Sequence, residues 1–456
     1  MRRRLVRAGA MLTAPLATAV IAAFRAVVGV AALLGVAVAA DAAERHVVIV
    51  SIDALRPEFY LDASYGATEL RAMVAAGSAA RGAEAVFPTV TYPNHATIVT
   101  GVRPLRHGVA FNVLFDPAGG RSRWYEEAAD LRATPIWEWA RTAGLRTASV
   151  SWPSTVGARI DSLVPERDYH LRREPFDALT SASTPGLLTR LGVAPAADVF
   201  TDAVKWDAFL TATASALIRA ERPHLLLIHL VQADFAQHRG GRAAADLPET
   251  VARLDAHVGS LRRALRDAGI AERSVVIVTG DHGFQDIARV VHPNVLLARA
   301  GLRRCPELGE SWFATVHTAG GGAAVFVSPN AGADAVALTE RTLRTGAGDR
   351  YTVLTRAELD ALGAMPGAAL GLEAMPGWII GGGCGRGLEG NVRGGTHGFL
   401  PSRESMLTGF IAAGAGVRAG VLLDRIRLVD VAPTAARLLG LTPPTLEGHV
   451  LDAILE

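Results

Sequence analysis

Apolar and polar positions follow one another along the chain in blocks that predict strands and helices in turn. Short apolar runs, such as the one that ends at Asp53 and the segment Ser274–Thr279, are typical of parallel strands buried on both faces. Amphipathic stretches such as Trp206–Ala220 and Leu247–Ala268 predict helices between them. The succession of strand, helix and strand predicts an α/β fold, a doubly wound, mostly parallel sheet with helices on both faces.

The same patterns divide the chain into a core and an insertion. The further predicted elements are helices at Ala96–Thr100, Trp137–Ala143 and Asp334–Thr345, strands at Thr147–Trp152, His224–Leu230, Ala323–Ser328 and Ser405–Ala412, and a last helix capped by Asp430. Residues 154–204 lack clear periodicity, and we expect loops over the site there. The core is expected to comprise residues 44–297 and 394–456, with 298–393 as a smaller inserted cap or substrate region.

The N-terminal segment has the composition of an export signal. Met1–Arg4 is basic, and an apolar stretch from about residue 8 to 40 is interrupted by Arg25. We expect residues 1–43 to be a cleaved signal peptide, which would leave no stable membrane span and a periplasmic or secreted protein. The alternative is an uncleaved membrane anchor, but Arg25 is costly in a bilayer and the apolar run after it is short.

Composition narrows the function only slightly. The 456 residues are 50% hydrophobic, enough for a large buried core, and the formal net charge of +2 gives no electrostatic case for specific nucleic-acid binding. Cys305 and Cys384 are the only cysteines. They would be able to pair in an oxidising compartment, and the sequence leaves that question open.

The segment Phe87–His95 predicts a turn from an apolar run into a helix. Pro93 suits the first helical turn, so Thr91 is expected at or near the N-cap, beside unpaired backbone N–H groups and the positive end of the helix dipole. A hydroxyl there is well placed to receive a phosphoryl group. The alternative is that Thr91 only caps the helix.

Acidic and imidazole side chains follow several predicted strands. They are Asp53, Asp234, His238, Asp281, His282 and His397. Asp-x-x-x-His puts both side chains on one side of a helical turn. Mixed carboxylate and imidazole ligands suit Zn²⁺ better than Mg²⁺ or Ca²⁺. Each group alone is better explained by a turn or an ordinary helix pair, but together they predict a metal site.

These segments resemble the alkaline phosphatase superfamily, specifically its nucleotide pyrophosphatase/phosphodiesterase family. The segments that carry the resemblance are Ser51-Ile52-Asp53, Phe87-Pro88-Thr89-Val90-Thr91-Tyr92-Pro93-Asn94-His95, His107-Gly108, Asp234-x-x-x-His238, Gly280-Asp281-His282-Gly283 and Gly395-Thr396-His397-Gly398. The resemblance covers about residues 45–450 and implies an alkaline-phosphatase-like fold. Sulfatases of this superfamily use a Cys or Ser nucleophile, so Thr91 argues against that branch.

The resemblance implies two Zn²⁺ ions, although other divalent transition metals would suit the same ligands. It assigns Asp234, His238 and His397 to one ion, and Asp53, Asp281, His282 and Thr91 to the other. It implies a hydrolase of phosphodiester or pyrophosphate bonds in nucleotide-like substrates, acting through a phospho-threonine at Thr91. Asn112 matches the asparagine that holds a phosphate oxygen. Tyr92 matches an aromatic residue against the leaving or nucleotide group, although core packing would explain it nearly as well.

The remaining histidines are weaker candidates for the site. His95 and His107 are expected to support the site or to pack, and structural roles are expected for His46, His170, His224, His229, His257, His292, His317 and His449.

The alternative functions are a phosphonate hydrolase, a non-catalytic metal-bound binding protein, or a phosphomonoesterase. A known monoesterase type uses Lys-x-Arg, which the single lysine, Lys205, does not form. Arginines that would be able to substitute are Arg159, Arg167, Arg172 and Arg173.

Overall fold

The largest element of the computed structural model, which describes residues 45–116, 122–167, 169, 172–196, 198–305, 311–385 and 387–456, is an eight-stranded sheet. Its strands are β1 (His46–Ile52), β2 (Ser78–Ala80), β3 (Thr147–Val150), β4 (Ser162–Val164), β5 (Leu225–Leu230), β6 (Ser274–Thr279), β7 (Phe410–Gly414) and β8 (Val421–Leu423). Across the sheet they lie in the order β8-β2-β7-β6-β1-β5-β3-β4. Only β7 runs antiparallel to its neighbours, so the sheet is mostly parallel.

Both faces of this sheet are covered by helices, because the central strand is apolar on both sides. Val48 and Val50 of β1 pack in one core, and Val47 and Ile49 pack in another. The first core includes the helices Thr68–Ala76, Ala203–Glu221 and Leu247–Asp267, and the second includes Thr91–Thr100, Ile136–Thr142 and Val431–Leu438. The predicted doubly wound α/β class is confirmed.

Smaller sheets and shorter helices complete the described part of the chain. A four-stranded sheet contains Ala314–Ala319, Gly322–Val327, Leu370–Ala374 and Tyr351–Leu354, and a three-stranded sheet contains Gly377–Ile380, Gln285–Val291 and Glu389–Thr396. Three short pairs are Arg303–Arg304 with Ser311–Trp312, Ile426–Arg427 with Ala83–Glu84, and Val113–Leu114 with Arg123–Trp124. The other helices are Glu58–Leu61, Pro104–His107, Pro175–Ala182, Leu187–Leu191, Gln232–Gly240, Pro293–Arg299, Ala335–Ala347 and Arg356–Leu362.

Two local predictions are wrong, for identifiable reasons. Residues 154–204 are not only loops, since they contain β4 and two short helices, elements too brief to show a period. The strand predicted at Ser405–Ala412 begins only at Phe410. The preceding carbonyls of Ser405 and Met406 instead accept hydrogen bonds from the loop after His282. Asp430 does stand at the N-cap, but its carboxylate accepts hydrogen bonds from the backbone of Arg427 and His449 instead of capping the helix.

Three further expectations concern the N-terminal segment, the boundaries of the core and the insertion, and the cysteines. The predicted signal peptide lies outside the described residues. The core boundaries at 44–297 and 394–456, and the insertion at 298–393, stay predictions. Cys305 and Cys384, which the sequence left open, form a disulfide. None of the helices in the described ranges is long and apolar enough to cross a membrane.

Candidate metal centre and catalytic site

Three adjacent strands deliver one acid each to the same edge of the sheet. Asp53 directly follows β1, Asp234 lies in the helix Gln232–Gly240 after β5, and Asp281 follows β6. Because β1 lies between β5 and β6, the three carboxylates come together at the carboxyl ends of the strands.

The first group of side chains consists of Asp53, Asp281 and His282. The Nε2 atom of His282 lies 3.3 Å from Asp53 Oδ1 and 3.3 Å from Asp281 Oδ2. Asp281 Oδ1 accepts hydrogen bonds from the backbone N–H groups of Ala54 and His282, both at 3.0 Å, so only its Oδ2 faces the group. Backbone bonds therefore orient this carboxylate.

The second group consists of Asp234, His238 and His397. Asp234 Oδ1 lies 3.3 Å from His238 Nε2 and 3.7 Å from His397 Nε2. His238 Nδ1 donates to the carbonyl of Gly395 at 3.1 Å, and His397 Nδ1 donates to that of Thr89 at 3.0 Å. These bonds place the N–H on Nδ1 and leave each Nε2 with a lone pair directed at the group.

The two groups adjoin each other. The rings of His282 and His397 stack with their centroids 3.7 Å apart. Potential ligand atoms of Asp234, His282 and His397 lie within 4.8 Å of one another, as do those of Asp53, Asp281 and His282. His282 is thus close to both sets of ligands.

Buried polar atoms in these groups lack partners within the described part of the chain. They are Asp53 Oδ1, Asp234 Oδ1, Asp281 Oδ2 and His282 Nε2. Leaving such atoms unpaired is costly, whereas divalent cations satisfy several of them at once. Oxygen and imidazole nitrogen donors in this number fit zinc or a similar transition metal.

Burial and neighbouring charges strongly shift the pKa values of the candidate ligands. Burial, together with the negative charge of Asp234, raises the pKa of Asp53 to about 7. Burial and the neighbouring Asp53 raise the pKa of Asp281 well above its ordinary value. Burial and the nearby His397 lower the pKa of His282 well below its ordinary value. Perturbed groups gathered in one cleft are typical of functional sites.

Thr91 is the first residue of the helix Thr91–Thr100, and Val90 occupies the N-cap position. Thr91 lines the same cavity, of about 890 Å³, as Asp53, Asp234 and His397. Asn112 Oδ1 accepts a hydrogen bond from the backbone N–H of Tyr92 at 3.0 Å, which holds the amide beside Thr91. Tyr92 lines the cavity and its ring contacts Trp124 at 5.5 Å, so it both packs and faces the site.

The residues before His397 approach the helix of His238 closely. Gly394 has φ +111°, and a Cβ built on it would lie 2.1 Å from the carbonyl oxygen of His238. Only glycine allows the strand Glu389–Thr396 to pass so near to that helix. This contact brings His397 beside Asp234.

Sequence analysis missed two residues of the site. His229, for which an ordinary structural role was expected, donates or accepts through both ring nitrogens, at 2.6 Å from Glu166 Oε2 and 3.1 Å from Asp53 Oδ2. Its signal was visible: His229 is the only polar residue of β5 and stands opposite Ser51, two residues before Asp53. Glu166 lies beyond β4, in a region without recognisable periodicity. His95 supports the site as expected, with Nδ1 donating to the Thr91 carbonyl at 2.8 Å.

Known proteins with related sequences match about half of this chain. The chain is 25% identical over 220 residues to human ectonucleotide pyrophosphatase/phosphodiesterase family member 1, a match covering 46% of this chain but 20% of the relative. It is 25% identical over 219 residues to venom phosphodiesterase 2 of Crotalus adamanteus, covering 46% of this chain and 23% of that protein. The matches thus span only about a fifth of these curated relatives.

Solved structures match over most of the chain. Murine ectonucleotide pyrophosphatase/phosphodiesterase 5 superposes with a TM-score of 0.69 at 20% identity, covering 90% of this chain and 100% of that one. An inactive form of the same murine protein, with a threonine changed to alanine and AMP bound, gives 0.68 at 19% identity, covering 91% and 100%. These likenesses show the fold. A model of the type I phosphodiesterase/nucleotide pyrophosphatase family matches residues 47–399, and the chain belongs to that family.

Proposed function

We propose that this protein is a metal-dependent hydrolase of phosphodiester or pyrophosphate bonds in nucleotide-like substrates, with two zinc ions and Thr91 as the nucleophile. The observation that carries the proposal is the set of buried oxygen and nitrogen atoms without hydrogen-bond partners, among the described residues, in Asp53, Asp234, Asp281 and His282. Asp53 and Asp234 line the cavity that Thr91 also lines, and His282 adjoins Asp53 and Asp281 at 3.3 Å. Family membership supports the class of reaction.

In this proposal Asp234, His238 and His397 hold one ion, and Asp53, Asp281 and His282 hold the other, with Thr91 beside it. Each of these histidines has its Nδ1 engaged by a backbone carbonyl, which leaves Nε2 free to bind a cation. Bound cations supply a lowered pKa for a nearby hydroxyl and stabilise negative charge on phosphate and leaving-group oxygens.

The residues of the chain carry the covalent chemistry. The Thr91 hydroxyl gives up its proton as the Oγ–P bond forms and the bond from phosphorus to the leaving oxygen breaks, and the departing oxygen takes up a proton. Water then attacks phosphorus, the Thr91 Oγ–P bond breaks, and Thr91 regains its proton. Since Asn112 Oδ1 is occupied by the Tyr92 N–H, its amide N–H₂ remains to donate to a phosphate oxygen.

The aromatic lining of the cavity suits a substrate larger than inorganic phosphate. Its aromatic lining includes Tyr92 and Trp124, in mutual contact, and Tyr169, Phe200 and Trp206, whose rings lie 5.7–5.9 Å apart. Such rings provide stacking surfaces for planar groups. The murine relative described with bound AMP makes a nucleotide a reasonable probe.

The structure weakens the monoesterase alternative. Among the arginines weighed from the sequence, Arg167 lines the cavity, but its Nε lies 3.1 Å from Glu126 Oε2. Arg172 pairs with the same carboxylate at 2.9 Å, and Arg159 pairs with Glu138 at 2.8 Å outside the cavity lining. Cations already paired with carboxylates are less able to neutralise the additional charge of a phosphate monoester.

The decisive assay compares a diester with a monoester. Zinc-loaded protein is assayed on bis-p-nitrophenyl phosphate, p-nitrophenyl phosphate and the p-nitrophenyl ester of thymidine 5′-monophosphate. We expect both diesters to be hydrolysed with the higher kcat/KM, and activity to be lost on chelation and restored by zinc. A clear monoester preference would overturn the choice of substrate, and full activity in the presence of a chelator would remove the metals.

We also propose export from the cytoplasm. The disulfide between Cys305 and Cys384 supports it, because structural disulfides persist mainly in oxidising compartments. The predicted signal at residues 1–43 gives the route. N-terminal sequencing of the mature protein from a periplasmic or extracellular fraction should find a start near residue 44, and recovery only from the cytoplasm would contradict the proposal.

A further inference from the structure

A continuous chain of side chains connects the edge of the sheet to Asp53. Glu166 follows β4, and its Oε2 lies 2.6 Å from Nδ1 of His229 on β5. Nε2 of His229 lies 3.1 Å from Oδ2 of Asp53, which follows β1. The His229 side chain is 1% exposed, so the imidazole is shielded from water, whereas the Glu166 side chain is 17% exposed and lines the cavity.

The contact with His229 gives the two carboxylate oxygens of Asp53 different surroundings. Oδ2 bonds to His229, whereas Oδ1 has no hydrogen-bond partner in the described structure and lies 3.3 Å from His282 Nε2. Each ring nitrogen of His229 contacts one carboxylate oxygen, and Nε2 contacts only one of the two oxygens of Asp53. His229 thereby selects the Asp53 oxygen that faces the first group.

The ring of His229 is also held from its side. The ring of His95 lies 4.2 Å from it between centroids, and His95 is in turn packed edge-on against Trp152 at 4.9 Å. His95 bonds to the carbonyl of Thr91. His95 therefore links the His229 ring to the helix that carries Thr91.

We propose that His229, held by Glu166, is a positioning residue that presents Asp53 Oδ1 to one of the two cations. The inference rests on the proposed function, because it requires cations at the two groups. Groups that orient metal ligands in this way typically contribute about 10- to 100-fold to metal affinity.

The test is a zinc titration of chelator-treated, full-chain protein against a chromogenic chelator. Wild-type protein should bind two ions. We expect His229→Ala to weaken one of them by about 10- to 100-fold and to leave the other unchanged. Glu166→Ala should act on the same ion with a smaller effect. His229→Gln, which keeps one donor for Asp53, should recover part of the affinity.

Two matched controls lie away from the two ligand groups, one on a strand of the same sheet and one at the end of the helix Ala203–Glu221. His46, on β1, is also buried, and its Nδ1 bonds to the carbonyl of Pro223 at 2.8 Å. Glu221 accepts from Ser162 of β4 and from Arg190. His46→Ala and Glu221→Ala should bind both ions as the wild type does, whatever they do to the free energy of unfolding.

The outcomes separate this inference from the proposed function. Unchanged binding of both ions by folded His229→Ala protein, or equal weakening of both, would overturn the positioning role. If His229→Ala fails to fold, the same criterion applies to His229→Gln and Glu166→Ala. Wild-type protein that binds no zinc contradicts the proposed function itself, and that measurement comes first.

Discussion

Acidification should loosen the helix that carries Thr91, through His107. This ring is fully buried; its Nδ1 accepts the backbone N–H of Val109 at 3.2 Å, and its Nε2 lies 3.0 Å from Thr97 Oγ1. The Thr97 hydroxyl itself donates to the carbonyl of Pro93 at 2.8 Å, so His107 Nε2 must carry the proton that bonds to Thr97. A second proton, on Nδ1, would face the N–H of Val109.

The size and sign of the effect follow from these contacts. Burial lowers the pKa of His107 to about 3, whereas an unfolded histidine titrates at about 6.5. The unfolded state therefore binds more protons between these values, and stability is fully present above pH ~6.5 and is lost as the pH falls. At pH 5 the loss amounts to about 2 kcal/mol, from 1.36 kcal/mol for each of roughly 1.5 pH units.

The assay is urea unfolding of wild-type and His107→Gln protein at pH 7.5 and pH 5. At pH 7.5 the variant should be about 1–3 kcal/mol less stable, because a buried hydrogen bond is lost. At pH 5 this deficit should shrink by about 2 kcal/mol, because glutamine does not titrate. Asn94→Ala is the matched control. Asn94 is buried in the helix Thr91–Thr100 and bonds to Val86 and Val90, so the loss in free energy of unfolding caused by this substitution should be equal at both pH values.

A deficit for His107→Gln that stays the same at pH 7.5 and pH 5 would refute the reasoning. It would mean that the folded protein accommodates the charged imidazole, and that the hydrogen bonds around His107 do not exclude the second proton.

Further predictions concern catalysis, backbone geometry and substrate contact. Thr91→Ala should reduce kcat by at least about 10³-fold while zinc binding persists, as measured by diester hydrolysis and metal titration. Gly394→Ala should cost about 3 kcal/mol or more in urea unfolding, whereas Gly144→Ala, also at positive φ (+75°) but with nothing within 4 Å, should cost about 1 kcal/mol. Phe235 is exposed and lines the cavity, so Phe235→Ala should raise KM for aromatic diesters by several-fold, on the order of 1 kcal/mol. Phe176→Ala should not, because Phe176 is equally exposed but lies outside the cavity lining.

The centre of the main sheet was predictable from the sequence, because β1, β5 and β6 are buried on both faces. β6 has the predicted bounds, Ser274–Thr279, and β5 starts one residue later than predicted. Such strands are continuous apolar runs whose ends carry the acids. β2, β4 and β8 were not predicted, since a strand of three residues carries no period that a pattern can show.

The candidate site was predictable only where its chemistry stands beside glycine or at the end of a strand. The structure brings Asp281, His282 and His397 together with the other predicted ligands, whose assignment to particular ions stays a prediction. His229 was assigned a structural role because one histidine within an apolar strand is usually a core residue. Its contact with Glu166, 63 positions away, depends on the order of strands, which the local sequence does not reveal.

The order of strands also explains why Asp53 needs more support than the other acids. Adjacent strands lie about 4.8 Å apart, so Asp53 on β1 has Asp234 from β5 on one side and Asp281 from β6 on the other. The charge of Asp234 contributes to the raised pKa of Asp53, and Asp53 contributes to that of Asp281. Two cations would relieve both repulsions, but a carboxylate between two cation groups has no intrinsic reason to turn either oxygen to a particular one. His229 supplies that asymmetry by occupying Oδ2 from the side of β5, which leaves Oδ1 facing His282 Nε2 at 3.3 Å.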